Sequence, residues 1–234
     1  MQSIAPLQPA HQSAAAQTVL RRRFVVHKKA EHPSVKSVAK RCLDITGALV
    51  GLSLTAAVAV PVAVAMKVSD PGPLFYSQTR CGLHGRKFRI WKFRSMVVGA
   101  DKMKHLVENQ VNSDGRFFKN ENDPRITRLG RFLRKTSLDE FPQFLNVLKG
   151  EMSLVGTRPP SLDEVERYDT HHWARLNVKP GITGEWQVKG RSSVKEFEDV
   201  VKLDVAYQQK WSFWYDLSLL AKTVQVVLKK EGAC

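Results

Sequence analysis

The sequence predicts a mostly helical α/β protein, built as a re-entrant membrane helix followed by a small cytoplasmic domain with amphipathic interfacial helices. Three observations lead there. The 22 residues from Ile45 to Met66 contain no charged side chain. Basic blocks lie on both sides of that run. Downstream, two short strand-like stretches precede a series of helix-like ones, punctuated by Gly and Pro. With 234 residues, 43% of them hydrophobic, the chain has the size of one domain and can bury a core, which excludes wholesale disorder.

The charge is unevenly placed. The chain carries 37 Lys and Arg against 22 Asp and Glu, a net of +15. Residues 1–41 hold +7 of this and residues 80–135 hold +10, whereas 42–79 and 136–234 are each at −1. A protein this basic seeks phosphate, on nucleic acid, on anionic lipid or on a substrate. Two basic blocks flanking an uncharged segment fit a negative membrane surface. A nucleic-acid binder is the competing reading, but no RNP-like, KH-like or zinc-finger pattern supports it, so nucleic acid is not an expected partner. Cys42, Cys81 and Cys234 show no CxxC spacing, which argues against a disulfide scaffold and a zinc module. His171 and His172 are adjacent and so are not expected to share a helix face as metal ligands.

Taken in order, residues 1–36 read as a leader, disordered over 1–19 and basic from 20 onward, with Phe24, Val25 and Val26 suiting a membrane-surface helix. Residues 37–70 form the membrane segment. As a straight helix the 22-residue run is about 33 Å long, enough for a hydrocarbon core of about 30 Å. More than forty residues precede it, which argues against a signal peptide; a buried core helix is the alternative. Lys40 and Arg41 precede the run and Lys67, Arg80 and Arg86 follow it, so the positive-inside rule assigns both flanks to the cytoplasm. Pro61 removes a backbone donor and bends a helix. A hairpin that turns near Pro61 and leaves by the face it entered satisfies both facts better than a simple span.

Residues 71–234 form the cytoplasmic domain. After a turn over Ser69–Pro73, strands are expected at Leu74–Thr79 and Lys87–Phe93 around Gly82–Gly85. A helix over 97–110, a polar loop over 112–124 and a basic stretch over 125–135 follow. Helices are expected to start at Ser137 and Ser161, and others to run over 194–209 and 214–230. Trp211, Phe213, Trp214 and Tyr215 open the last of these, suiting a lipid interface and an ordinary core equally.

The chemistry-bearing pair is Asp139-Glu140. It follows directly on Arg125, Arg128, Arg131, Arg134 and Lys135. Two carboxylates amid that much positive charge suit a divalent metal and phosphate together. Ser137 is placed to cap a helix whose apolar residues Leu138, Phe141, Leu145 and Leu148 keep helical spacing, with Gly150 as its stop. Asp139 in the first turn would then be ionised, a nucleophile toward phosphorus and a hard ligand for Mg²⁺. The competing reading is structural: Ser-x-x-Glu is the capping box, and the same tetrapeptide recurs as Ser161-Leu162-Asp163-Glu164.

Taken together, the motifs resemble those of the bacterial sugar transferases, the monotopic phosphoglycosyl transferases that start glycan assembly on a polyprenyl phosphate. The resemblance runs from about Lys40 to Lys222. It is carried by Lys40-Arg41-Cys42-Leu43-Asp44, Pro71-Gly72-Pro73-Leu74-Phe75, Gln78-x-Arg80 and Lys92-Phe93-Arg94-Ser95-Met96. Asp123-Pro124-Arg125-Ile126-Thr127, Leu138-Asp139-Glu140, Met152-Ser153-Leu154-Val155-Gly156, Arg158-Pro159 and Lys179-Pro180-Gly181-Ile182-Thr183-Gly184 complete it.

The resemblance implies an enzyme of the bacterial inner membrane with its catalytic domain on the cytoplasmic face. It implies that Asp139, with Glu140 beside it and Mg²⁺ held by the two, attacks the sugar-bearing phosphorus of a UDP-sugar. UMP leaves, and undecaprenyl phosphate then takes the sugar-1-phosphate, a hexose-1-phosphate, as the first step of exopolysaccharide or capsule synthesis. Arg158 is the first choice for binding the donor phosphates, followed by Arg94, Arg125 and Arg134; the alternative for each is a lipid headgroup or solvent. A membrane-anchored basic scaffold without catalysis is the alternative function, and a homodimer is expected from apolar faces near a membrane. Two departures from the family pattern are visible: Val60-Pro61 stands where Ser-Pro is common, and Thr157-Arg158-Pro159 where Pro-Arg-Pro is.

Overall fold

The uncharged run forms the middle of a single long helix. The computed structural model describes residues 31–107, 120, 122–189, 194 and 196–229. The leader up to residue 30 and most of the 112–124 loop lie outside these. A short helix α1, Pro33–Lys36, leads into α2, Val38–Ser69, whose first turn is capped by the Ser37 side chain accepting from the Lys40 N–H. Pro61 lies inside α2, which continues through it. The turn expected near Pro61 is therefore not a break in the helix. The physical reason is packing on both sides of the proline: Val58 before it and Val62 and Met66 after it enter one apolar cluster with Phe93 and Leu133. One missing backbone donor does not outweigh that burial.

One stripe of α2 is buried against the domain, through Asp44, Ala48, Gly51, Thr55, Val62 and Met66. Small residues let it come close, since a Cβ on Gly51 would lie 2.4 Å from the Phe144 ring and one on Gly47 2.5 Å from Leu154. The opposite stripe is apolar and open: Leu49, Val50, Leu54, Val60, Val64 and Val68 are 51–82% exposed. By length and composition α2 is apolar enough to cross a bilayer. Both of its ends are nevertheless fastened to the same domain. Lys40 forms a buried ion pair with Asp216 and donates to the Val155 carbonyl at 3.0 Å, while Asp70 at the far end accepts from Arg94 Nη1 at 2.6 Å.

Strands β1, Phe75–Cys81, and β2, Lys87–Phe93, pair antiparallel with Phe75 opposite Phe93, close to the expected positions. Within the helix expected over 97–110, a 3₁₀ helix runs over Ala100–Leu106 and starts after Gly99, whose φ of +81° prevents a helix from running through it; residues 108–110 lie outside the described residues. Helix α3, Arg128–Lys135, is capped by Thr127 and pressed onto the loop after β2: a Cβ on Gly130 would lie 1.8 Å from the Ser95 carbonyl oxygen.

A 3₁₀ turn, Leu138–Gln143, runs into helix α4, Phe144–Lys149, which stops at Gly150 with φ +80°. Two strands escape sequence reasoning: β3, Ser153–Val155, and β4, Gly181–Thr183, which pair in parallel. Each has three residues, too few to show a period. Helix α5, Leu162–Glu166, a 3₁₀ helix over Thr170–Asn177 and helix α6, Glu185–Lys189, fill the space before α7, Phe197–Lys210, and α8, Phe213–Lys229. The main core joins α2 to the sheets and to α8 through Ala48, Ile90, Val147, Met152, Tyr207 and Leu219. A second, around Trp173, Tyr168 and Phe197, packs α7 against the Thr170–Asn177 turn.

Candidate active site

The two Ser-Leu-Asp-Glu tetrapeptides fold differently. Ser161 lies in extended backbone after Pro159-Pro160, and its hydroxyl accepts from the Glu164 N–H while the Glu164 carboxylate accepts from the Ser161 N–H at 2.9 Å. Ser137 instead follows directly on the end of α3 and turns left-handed, with φ +56°, and makes no side-chain cap hydrogen bond. The cap expected at Ser137 is thus corrected: the residue is a joint between two helical segments. The capping box forms at 161–164 and does not form at 137–140.

The segment that follows is bolted to the long helix. Leu138 and Phe141 pack with Val62, Met66, Phe93 and Leu133, and the Thr55 hydroxyl is 3.2 Å from the Phe141 carbonyl oxygen it donates to. Pro142 sits inside the turn, and Asp139 is 5% exposed. Glu140 is half-buried, and its Oε1 accepts from Lys92 Nζ at 2.8 Å. Lys92 reaches it from β2, between the core residues Phe93 and Ile90. Sequence reasoning did not single out Lys92; its place in Lys92-Phe93-Arg94, a charge inside a strand, was the available signal.

Lys92 also lines a cavity of about 300 Å³, together with Arg80, Arg94, Arg125, Arg134 and Arg158. All four arginines proposed from the sequence therefore meet in one place, beside Tyr76, Gln78, Asp101 and Glu164. Asp139 does not line it; the Lys92–Glu140 contact is the link between dyad and cavity. Two of the arginines are heavily committed. Arg94 donates to the Asp70 carboxylate and, at 2.8 Å, to the Pro73 carbonyl, and so locks the exit of α2. Arg125 forks onto Asp123 at 2.9 and 2.6 Å and donates to the Ala100 carbonyl at 3.1 Å. Those hydrogen bonds hold the Asp123 carboxyl below its ordinary range. Arg158 meets Glu164 in two contacts of 3.0 and 3.3 Å. Arg134 donates through Nε to the Ser95 hydroxyl at 2.9 Å, and no carboxylate pairs with it among the described residues.

On its other side Glu140 borders an apolar groove of about 290 Å³, lined by Phe141, Phe144, Ile182, Val224 and Val227. Glu140 thus touches the cationic cavity through Lys92 and itself lines a groove suited to hydrocarbon.

The structure also brings together His171, His172 and Glu198, which sequence adjacency argued against. His172 Nδ1 accepts from the Asp169 N–H at 2.9 Å, so Nε2 carries the proton and donates to Glu198 Oε1 at 2.7 Å. Both nitrogens are used, and the trio is a hydrogen-bonded clasp on α7.

The chain belongs to the bacterial sugar transferase family, whose sequence model matches residues 35–230. It is similar to the galactosyl transferase CpsE of Streptococcus agalactiae serotype III (strain NEM316), at 52% identity over 84% of this chain and 43% of that protein. It is 48% identical to an undecaprenyl-phosphate galactose phosphotransferase of Salmonella typhimurium (strain LT2), over 70% of this chain and 35% of that one. The chain therefore spans less than half the length of these two relatives. The exopolysaccharide production protein ExoY of Rhizobium meliloti (strain 1021) is nearer in length, with 39% identity over 85% of this chain and 89% of that protein.

Proposed function

We propose that the protein transfers a hexose-1-phosphate from a UDP-sugar to undecaprenyl phosphate, the first step of exopolysaccharide or capsule synthesis. The relatives' names supply the acceptor and the class of sugar. The observation that carries the proposal on this chain is the Asp139-Glu140 turn, freed from a capping role and joined through Lys92 to a cavity with six cations.

The residues divide the work. Cations of the cavity bind the donor's diphosphate, Arg134 and Arg158 being the best placed. An Asp139 carboxylate oxygen attacks the sugar-bearing phosphorus; the new O–P bond forms as the bridging P–O bond breaks, and UMP leaves with that electron pair. A phosphate oxygen of undecaprenyl phosphate then attacks the same phosphorus and releases the Asp139 carboxylate. Lys92 holds Glu140 beside the nucleophile and offsets its charge. The first isoprene units of the acceptor suit the apolar groove. Asp139 and Glu140 fit Mg²⁺, which is usually held by one or two carboxylates and substrate phosphates, although Lys92 already occupies one Glu140 oxygen. Such an ion supplies neutralisation of the charge that gathers when a carboxylate approaches a diphosphate.

The protein works at the cytoplasmic face of the inner membrane. The exposed apolar stripe of α2 faces lipid, and since both ends of α2 are tied to one domain, the chain enters and leaves by one face. The test is nucleoside monophosphate release by detergent-purified protein, given Mg²⁺, polyprenyl phosphate and a panel of UDP-sugars. Asp139→Asn is expected to lose at least about 10³-fold in turnover while Asp163→Asn keeps it. Equal loss in both variants would sink the assignment of the nucleophile.

A further inference from the structure

Two groups on the cavity wall have no individual role so far: Arg80, from the Gln78-x-Arg80 motif, and Glu164, from the second tetrapeptide. The end of β1 is zipped to the start of α5, with the Cys81 N–H donating to the Pro160 carbonyl at 2.9 Å and Arg80 bridged to Ser161. This brings Arg80 beside Arg158. Glu164 Oε2 accepts from Arg158 Nη1 at 3.0 Å and lies 3.9 Å from Arg80 Nη1, and its Oε1 accepts from Arg158 Nη2 at 3.3 Å. Arg80 is steadied further by Gln78 Oε1 at 2.7 Å and the Pro159 carbonyl at 3.2 Å, while its Nε is buried with no hydrogen-bond partner.

We infer that Glu164 is a positioning residue for the donor's diphosphate, its carboxylate aligning the guanidinium groups of Arg158 and Arg80 as a two-cation clamp on the cavity wall. The inference rests on reading that cavity as the donor site. Both guanidiniums line the cavity beside the Glu164 carboxylate, where a bound diphosphate would meet them. Burial alone would raise the Glu164 carboxyl, but the charges of Arg158 and Arg80 outweigh it and hold the group below its ordinary range, so it is ionised when the clamp is set. Burial and the neighbouring Arg158 charge disfavour the charged form of Arg80, a repulsion that Glu164 and a bound diphosphate both relieve. Protein kinases align a phosphate-binding lysine with a glutamate in the same way. The capping box and the clamp use the same carboxylate.

Glu164→Gln separates the two roles, because an amide oxygen still accepts from the Ser161 N–H but carries no charge. UDP binding, measured by calorimetry, is expected to weaken about tenfold in Glu164→Gln. The kcat/KM for the donor should fall by a similar factor, with KM for polyprenyl phosphate unchanged. Combined with Arg158→Gln, the loss should fall short of the product of the two single effects, because one residue acts through the other. Asp163→Asn, exposed on the same turn, should change neither reading. UDP affinity unchanged or tightened in Glu164→Gln, or effects that multiply, overturns the inference. Arg80→Gln leaves the box intact and should also weaken UDP; unchanged affinity there overturns the clamp even if Glu164→Gln does not fold. Wild-type protein that binds UDP but turns over no donor defeats the proposed reaction and leaves the clamp standing. Wild-type protein that does not bind UDP defeats both.

Discussion

Asp123 and Arg125 show how a motif residue can be occupied by structure. Their side chains are only 3% and 6% exposed and face each other through two Arg125 nitrogens. Replacing Asp123 by Asn leaves a buried guanidinium without its counter-charge, which should cost about 3 kcal/mol at neutral pH. The sign of the pH dependence follows from the depressed carboxyl. Stability from a carboxylate whose folded pKa is lowered is present above its ordinary value, 3.8, and is lost as pH falls through the lower folded value. Melting curves from pH 6 down to 2 should therefore show the wild type's advantage over Asp123→Asn shrinking only below about pH 3.8. An advantage that persists unchanged to the lowest pH would mean that the pair contributes through packing alone. At this scale the sequence was informative about which residues gather: Arg94, Arg125, Arg134 and Arg158 all line one cavity. It was silent about partners, because Asp70, Asp123 and Glu164 are matched to them by the path of the backbone.

Helices α2 and α8 are joined by the buried pair Lys40–Asp216, in which Asp216 also accepts from the Tyr207 hydroxyl at 2.8 Å and the Trp211 ring N–H at 3.1 Å. Asp216 is fully buried. Lys40→Met would strand its charge, and a loss of about 3–5 kcal/mol is expected by denaturant unfolding in detergent. Adding Asp216→Leu should recover most of that loss; failure to recover would show that the hydrogen bonds to Asp216 matter more than the charge. At the scale of elements, long segments with strong periods were legible. β1, β2, α7 and α8 fall within a few residues of expectation, the strands because they flank the Gly82–Gly85 turn and the helices because each keeps an apolar face. The pair β3–β4 was not, nor was the difference between Ser137 and Ser161. The first depends on close backbone approach, a Cβ on Gly181 meeting Gly156 N at 2.1 Å, and the second on what precedes each serine.

At the scale of the whole molecule, α2 presents an apolar stripe to its surroundings, and the Asp139-Glu140 turn is packed on the back of the same helix through Thr55, Val62 and Met66. The proposed anchor and the proposed nucleophile are thus coupled by contact: whatever fixes α2 in lipid fixes the depth of Asp139. Lysines at Leu49, Leu54 and Val64 would each meet a barrier of about 2.5–3.5 kcal/mol near a bilayer centre. The triple variant should move from the membrane pellet to the soluble fraction with little change in melting, because none of the three side chains is buried in the domain. A variant that still pellets would show that α8 or the basic surface anchors the protein instead. Single cysteines at Lys36 and Pro71 should both be labelled from the cytoplasmic side; labelling from opposite sides would rule out entry and exit by one face.

The sequence alone determined that a 22-residue uncharged segment exists, that basic charge flanks it, and that Asp139-Glu140 lies within a family's ordered motifs. These are properties of composition, spacing and order, and they need no coordinates. Only the tertiary structure decided that α2 runs through Pro61 and that Ser137 is a joint where Ser161 is a cap. It alone placed Lys92 on Glu140 and Glu164 between two arginines. The reason is physical: local preferences of about 1 kcal/mol set what a segment can do, whereas burial against distant residues sets which option is taken.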